Sequence, residues 1–139
     1  MKTTKGEFRH PLRVRYGECD PQGVVFNANY LAYFDIAMTE LWRELGGYDA
    51  MVADGVDMVV AEARIRYLAP LRFDDEFELV VRGVRLGKTS LTSELAIERD
   101  GKTLIEGELR HVFVDTRTMT KTPIPEPARS GLAALSGPG

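Results

Sequence analysis

The stretch D-P-Q-G-V-V-F-N-A-N-Y-L-A-Y-F-D-I-A-M-T-E-L-W-R-E-L, residues 20–45, decides how this chain folds. Its second part is helical by pattern. Tyr30, Leu31, Phe34, Ala37, Met38, Leu41, Trp42 and Leu45 recur at three- and four-residue spacing, which lines one helical face with apolar side chains. Asn27 or Asn29 can cap the start, and Gly46-Gly47 stops the run. From Ala28 to Leu45 such a helix is roughly 27 Å long. The first part is not a regular element. Asp20-Pro21 and Gly23 make a turn, and Val24, Val25 and Phe26 follow as an apolar step. An Asp-Pro turn is ordinary chemistry in which the carboxylate bonds nearby backbone. Its position makes it more than that. A helix N-terminus presents free N–H groups and a dipole that favours negative charge. A carboxylate there can attack a carbonyl or activate water while the N–H groups hold the developing oxyanion.

Outward from the helix, the chain reads as strands. Phe8, His10, Leu12, Val14 and Tyr16 alternate with Arg9, Arg13 and Arg15 over residues 7–16. After the helix, Val59, Ala61, Ala63, Ile65 and Tyr67 alternate with Val60, Glu62, Arg64 and Arg66, and Pro70 ends the run. Phe77, Leu79 and Val81 form the next face. Gly83 breaks its phase, since Val84 and Leu86 carry the apolar character on, which predicts a bulge. Leu91, Ser93, Leu95 and Ile97 make the fourth strand. Asp100-Gly101 is a two-residue hairpin turn, and Ile105, Leu109, His111 and Phe113 make the fifth. The order is β-α-β-β-β-β, an α+β fold in which one long helix covers one face of a five-stranded antiparallel sheet. The open sheet edges invite a second subunit. Residues 1–125 form one domain. Residues 126–139, rich in Pro, Gly and Ser, form a C-terminal tail whose last residues are expected to be mobile.

Composition narrows the function. Hydrophobic residues are 44% and charged residues 28%, with a formal net charge of −3, so no basic surplus points to nucleic acid. No apolar run approaches membrane-spanning length, and the N-terminus lacks a signal-like apolar segment. Cys19 is the single cysteine, which excludes an internal disulfide and suits a reducing compartment. The expectation is a cytoplasmic protein. His10 and His111, isolated and without Cys or carboxylate spacing, give no metal site. No G-x-S-x-G elbow supports serine hydrolysis. His111 reads as a hydrogen-bonded core histidine, Glu62 as an ion-pair partner beside Arg64, and Cys19 as a thiol without a base.

The motif R-V-R-Y-G-E-C-D-P-Q-G-V-V-F-N-A-N-Y-L-A-Y-F-D resembles the signature of hotdog-fold acyl-CoA thioesterases, in the branch that includes 4-hydroxybenzoyl-CoA thioesterase. Tyr16, Asp20, Gly23, Val24, Val25, Phe26, Asn29 and Tyr30 match it. R-Y-L-A-P-L-R-F-D-D-E-F, L-G-K-T-S and V-D-T-R-T-M-T-K-T-P-I-P resemble later blocks in the same order, so the likeness spans roughly Arg9 to Pro125. It implies a hotdog fold and thioester hydrolysis. Asp20 matches the catalytic carboxylate, the backbone N–H of Asn27 the donor to the thioester carbonyl, and Gly23 the turn glycine. Many relatives carry a His at the position of Asn27; its absence leans towards the aryl-CoA-like branch. Tyr30 or Phe34 can line an acyl pocket. Lys88 and Ser90 match a region that approaches coenzyme A, often from the neighbouring subunit; Arg85 and Arg64 are weaker candidates. The resemblance implies no cofactor, because coenzyme A belongs to the substrate, and an assembly of at least a homodimer, a dimer of dimers making a homotetramer. Two alternatives remain. One is a thioesterase acting on an acyl carrier protein, with Arg64, Arg66, Arg72 and Arg82 as a docking patch. The other is a non-catalytic acyl-CoA-binding domain.

Overall fold

The computed structural model describes Thr3, Thr4 and residues 6–136. Two short strands open the chain, β1 (Thr3–Thr4) and β2 (Glu7–Arg13), followed by a 3-10 turn at Tyr16–Glu18. Then come α1 (Ala28–Leu45), α2 (Tyr48–Ala53), β3 (Val56–Tyr67), β4 (Glu76–Leu86), β5 (Ser90–Arg99), β6 (Lys102–Asp115), β7 (Thr120–Lys121) and α3 (Glu126–Leu132). The sheet runs β1-β2-β4-β5-β6-β3, with β7 paired to β6, and every pairing is antiparallel. Five long strands thus carry the sheet, as the alternation predicts, and two two-residue strands extend it.

Helix α1 holds the bounds its pattern predicts. It ends where Gly46 takes φ 75° and donates its N–H to Trp42 O at 2.8 Å. Neither asparagine caps its start through a side chain: Asn29 Nδ2 donates to Glu18 O at 2.8 Å instead. Tyr30, Tyr33, Phe34, Ala37, Met38, Leu41 and Trp42 are buried in one cluster with Phe77, Leu79 and Val81 of β4, Leu95 and Ile97 of β5, and Ile105, Leu109 and Phe113 of β6. The fit is closest at Gly107, where a Cβ would stand 2.3 Å from Phe34 Cε2. The glycine is the notch that admits the ring.

Two bulges set which side chains face the helix. The one predicted at Gly83 falls between Val81 and Gly83. A second, between Val60 and Glu62, corrects the phase expected for β3. Before it, Met58 and Val60 share a face with Phe113 and His111; after it, Ala63, Ile65 and Tyr67 share that face with Leu109, Gly107 and Ile105. The sequence hides this step because Val59, Val60 and Ala61 carry no polar contrast. Asp100 and Gly101 both take positive φ, 53° and 77°, and close the predicted β5–β6 hairpin.

Residues 126–136, set apart in the sequence by composition, form α3 and a further 3-10 turn at Ala133–Leu135. Ala128, Leu132 and Leu135 fall on one side and enter the core. Arg129 holds this segment to the β4–β5 turn by donating to Gly87 O at 2.6 Å. Residues 137–139, where mobility is expected, lie outside the described residues. On the outer sheet face Arg64 pairs with Glu108 at 2.9 Å, not with the expected Glu62. Arg9 and Arg82 both bond Glu98 there. Strand β3 is the sheet's edge, and Val59, Val60 and Tyr67 on it are exposed. No helix among the described residues is long and apolar enough to cross a membrane.

Candidate active site

The loop from Cys19 to Phe26 is held by backbone bonds at nearly every step. Asp20 N–H donates to Val24 O and Gly23 N–H to Asp20 O, each at 2.9 Å. Gly23 sits at φ 81°, a conformation that glycine adopts without the Cβ penalty. Val25 N–H donates to Leu71 O and Phe26 N–H to Glu18 O, each at 2.9 Å. Glu18 anchors the loop further: its Oε1 accepts from Arg15 N–H at 2.8 Å and from the Tyr33 hydroxyl at 2.7 Å. Burial, with the bond to Glu18 and its charge, pushes the Tyr33 phenol well above its ordinary value. Tyr33 is therefore a fixed donor. Tyr30, whose phenol is likewise raised chiefly by burial, accepts from Leu71 N–H at 3.0 Å and ties the helix to the β3–β4 connection.

These links shape a cleft of ≈ 340 Å³ lined by Asp20, Gln22, Val24, Val25, Asn27 and Tyr30 on one side and Tyr67, Leu68, Ala69, Pro70 and Ile105 on the other. Asp20 Oδ1 accepts from Gln22 N–H at 2.8 Å, an Asx turn that orients the carboxylate and leaves Oδ2 without a protein partner among the described residues. The first N–H groups of a helix have no partner within it. Here Asn29 N–H is taken by Phe26 O at 2.8 Å and Tyr30 N–H by Asn27 O at 3.3 Å. The N–H of Asn27 has no acceptor among the described residues. Asp20 Oδ2 and the Asn27 N–H are thus both uncommitted on residues that line the same cleft.

The expected site residues separate into three groups. Asp20, Asn27 and Tyr30 line the cleft, and Gly23 turns the loop that carries Asp20. Phe34 does not line it: the ring is fully buried against Gly107, one turn along the helix from Tyr30. Lys88 and Ser90 lie on the β4–β5 turn, outside the cleft's lining. The far wall, Tyr67 to Pro70, holds no expected site residue; the Tyr-x-x-Pro block is its signal in the sequence. Cys19 beside Asp20 is no nucleophile: burial first, then the carboxylates of Asp20, Glu18 and Asp75, push its thiol up.

A second cavity, ≈ 710 Å³, opens at the other end of α1 between that helix, α2 and the start of β3. Asp35, Met38, Trp42, Tyr48, Met58 and His111 are among its lining residues. His111 is 6% exposed, as a core histidine should be, but its Nδ1 has no partner among the described residues; nor has Trp42 Nε1. Burial lowers the His111 pKa, against the raising field of Asp35.

A long helix wrapped by a curled antiparallel sheet is the hotdog fold. The sequence agrees: residues 14–132 match the model of the thioesterase-like superfamily, and the chain belongs to that superfamily. Acyl-CoA thioester hydrolase YbgC of Escherichia coli O6:H1 is 35% identical over 128 residues, covering 91% of this chain and 94% of its own. Among solved structures, BH1999 gentisyl-coenzyme A thioesterase superposes with a TM-score of 0.80 at 25% identity, over 89% of this chain and 98% of that one. Slr0204, a 1,4-dihydroxy-2-naphthoyl-CoA thioesterase from Synechocystis, superposes with a TM-score of 0.85 over 93% and 97%; at 17% identity it bears on the fold alone.

Proposed function

We propose that this protein hydrolyses acyl-CoA thioesters to the free acid and coenzyme A, with Asp20 as the catalytic carboxylate and the Asn27 N–H as the oxyanion donor. The observation that carries the reading is the pairing of an uncommitted Asp20 Oδ2 and an uncommitted Asn27 N–H in one cleft. The thioester carbonyl oxygen points at the helix start, where the N–H and the dipole stabilise the negative charge of the tetrahedral intermediate. Asp20 either attacks the carbonyl carbon, giving a mixed anhydride that water opens, or takes a proton from the attacking water. In both routes the thiolate of coenzyme A leaves and one water is consumed. Only water and the chain's own groups are used. The thioesterase activity of YbgC supports the substrate class.

The site is completed by a second copy. Strand β3 is an unpaired edge with apolar side chains on it. A two-fold axis that pairs two such edges antiparallel sets the Tyr67 end of one against the Val56 end of the other. Ser90 is registered with Val112, and Val112 with Val59, so the β4–β5 turn belongs to that second end. Lys88 and Ser90 then reach the substrate from the partner, and dimers join further into a tetramer. Tyr30 walls the acyl group. Against a carrier-protein substrate, Arg64, Arg66 and Arg82 of the expected docking patch are paired with Glu108, Glu106 and Glu98, which leaves Arg72 as its one arginine without a carboxylate partner among the described residues. Retention of Asp20 argues against a mere binder.

The test is thiol release from short-chain, long-chain and aromatic acyl-CoAs by wild type and Asp20→Asn. Turnover with at least one class, lost by roughly 10²–10⁴-fold in the variant, is the expected result. Near wild-type turnover by Asp20→Asn removes the mechanism. No release from any class by wild type removes the activity.

A further inference from the structure

Nine of the chain's arginines have a carboxylate within ion-pair distance: Arg9, Arg13, Arg43, Arg64, Arg66, Arg82, Arg85, Arg99 and Arg117. Arg129 is spent on carbonyls. Arg15, Arg72 and Arg110 have none among the described residues. Arg110 stands alone on the outer sheet face, opposite Thr92 and Glu62. Arg15 and Arg72 are different, because the fold brings their segments side by side. Val14 N–H donates to Asp75 O at 2.9 Å and Asp74 N–H to Val14 O at 3.2 Å. Next to the two arginines, Tyr16 and Phe73 meet edge to face with ring centroids 5.7 Å apart. These rings are not core. Tyr16 is 80% exposed and Phe73 53%.

We infer that Arg15, Tyr16, Arg72 and Phe73 form the docking surface for the adenosine 3′,5′-bisphosphate end of coenzyme A. The inference rests on the thioesterase reading only for why the nucleotide arrives. Unpaired guanidinium groups are the natural partners of phosphate, which they bind with two parallel N–H donors. An exposed aromatic ring beside them offers a face on which a base stacks. The surface is joined to the catalytic loop twice, since Arg72 is bridged to Val24 and Leu71 O accepts from Val25 N–H. Arg15 opens the 3-10 turn that leads to Asp20. The acidic turn close by does not cancel the charge: Asp74 and Glu76 are occupied by Arg13, and Asp75 by Arg99 and the Arg72 N–H. A substrate whose nucleotide rests here enters the cleft past the Asp20 loop, and Lys88 of the partner meets it from the other side.

The test separates binding from turnover. Calorimetric titration of the intact protein with adenosine 3′,5′-bisphosphate involves no thioester. Wild type is expected to bind it, more weakly as salt rises. Arg15→Gln with Arg72→Gln should weaken binding by roughly 100-fold, and Tyr16→Ser by roughly fivefold or more. All three side chains are exposed, so the variants keep the fold. No binding by wild type, or equal binding by the variants, overturns the inference. Loss of the dimer in the double variant with nucleotide affinity unchanged overturns it too, and assigns the rings to a subunit contact. Steady-state kinetics on one acyl group carried by coenzyme A or by N-acetylcysteamine gives the second readout. The double variant should raise KM for the coenzyme A ester and leave kcat, and leave the short thioester unchanged; an equal loss on both overturns the inference. Failure of thiol release by wild type from both esters would count against the thioesterase reading, while the calorimetry still decides the nucleotide surface.

Discussion

Helix α1 opens into a cavity at each end, and the two are built on opposite principles. At its start, ≈ 340 Å³ is bordered by a loop held by backbone hydrogen bonds, and Asp20 Oδ2 and the Asn27 N–H are among the groups left without a partner among the described residues. At its far end, ≈ 710 Å³ is bordered by Trp42 and His111, whose buried Nε1 and Nδ1 have no partner among the described residues. An uncommitted group at a cleft surface is ready for charge that appears during a reaction. An unpartnered buried nitrogen costs stability in the resting protein. On the proposed function the first cavity serves the chemistry, whereas the second is tolerated by the fold.

The largest effect that tests this contrast is expected from Asn27→Pro. Asn27 has φ −54°, which suits proline, and its N–H bonds nothing among the described residues. The variant should fold and lose about 10²–10³-fold in kcat, the usual cost of one oxyanion donor, while Asn27→Ala keeps most of the activity. Equal activity of the two in a thiol-release assay would show that the Asn27 N–H is not the oxyanion donor. Next is Gly107→Ala, between the two ends. Its methyl meets Phe34, and the overpacking should cost about 1–3 kcal/mol in urea unfolding. Active-site geometry should survive, so kcat falls little.

A smaller effect is expected at the far cavity. Burial holds the His111 pKa below its ordinary 6.5, so above that pH the ring is neutral folded or unfolded. As pH falls below about 6.5 the unfolded chain takes the proton first, and stability drops until the lowered folded value is passed. His111→Leu should remove that step, and at pH 7.5 its stability should match or exceed wild type, since no hydrogen bond at Nδ1 is lost. Urea midpoints at pH 7.5 and 5.5 check both; an unchanged acid step in the variant would assign it elsewhere. The smallest effect is expected from Cys19→Ser. The thiol is pushed up rather than activated, so turnover in the same thiol-release assay should stay close to wild type.

Much of this was legible in the chain itself, for physical reasons that differ by region. Helix α1 could be bounded because apolar spacing and Gly46-Gly47 agree. The bulge at Gly83 showed because apolar residues change phase across it; the one after Val60 did not, because its neighbours are all apolar or small. Helix α3 was masked by Pro, Gly and Ser, yet Ala128, Leu132 and Leu135 repeat at helical spacing and are buried. In the site, Asp20 and Asn27 could be paired because a single turn separates them. The cleft's far wall and the Arg15–Arg72 surface bring together residues distant in the sequence, and only the fold's strand pairing does that.

The bulge in β3 also bears on the edge that the sheet leaves unpaired. A straight, half-apolar edge strand is a template on which chain after chain can add. Here the strand changes face midway, with Met58 and Val60 on one face before the step and Ala63 and Ile65 on that face after it. A regular strand that matches one half is out of phase with the other. Only a strand carrying a matching step follows the whole edge, so the irregular edge is a poorer template for open-ended addition than a straight one.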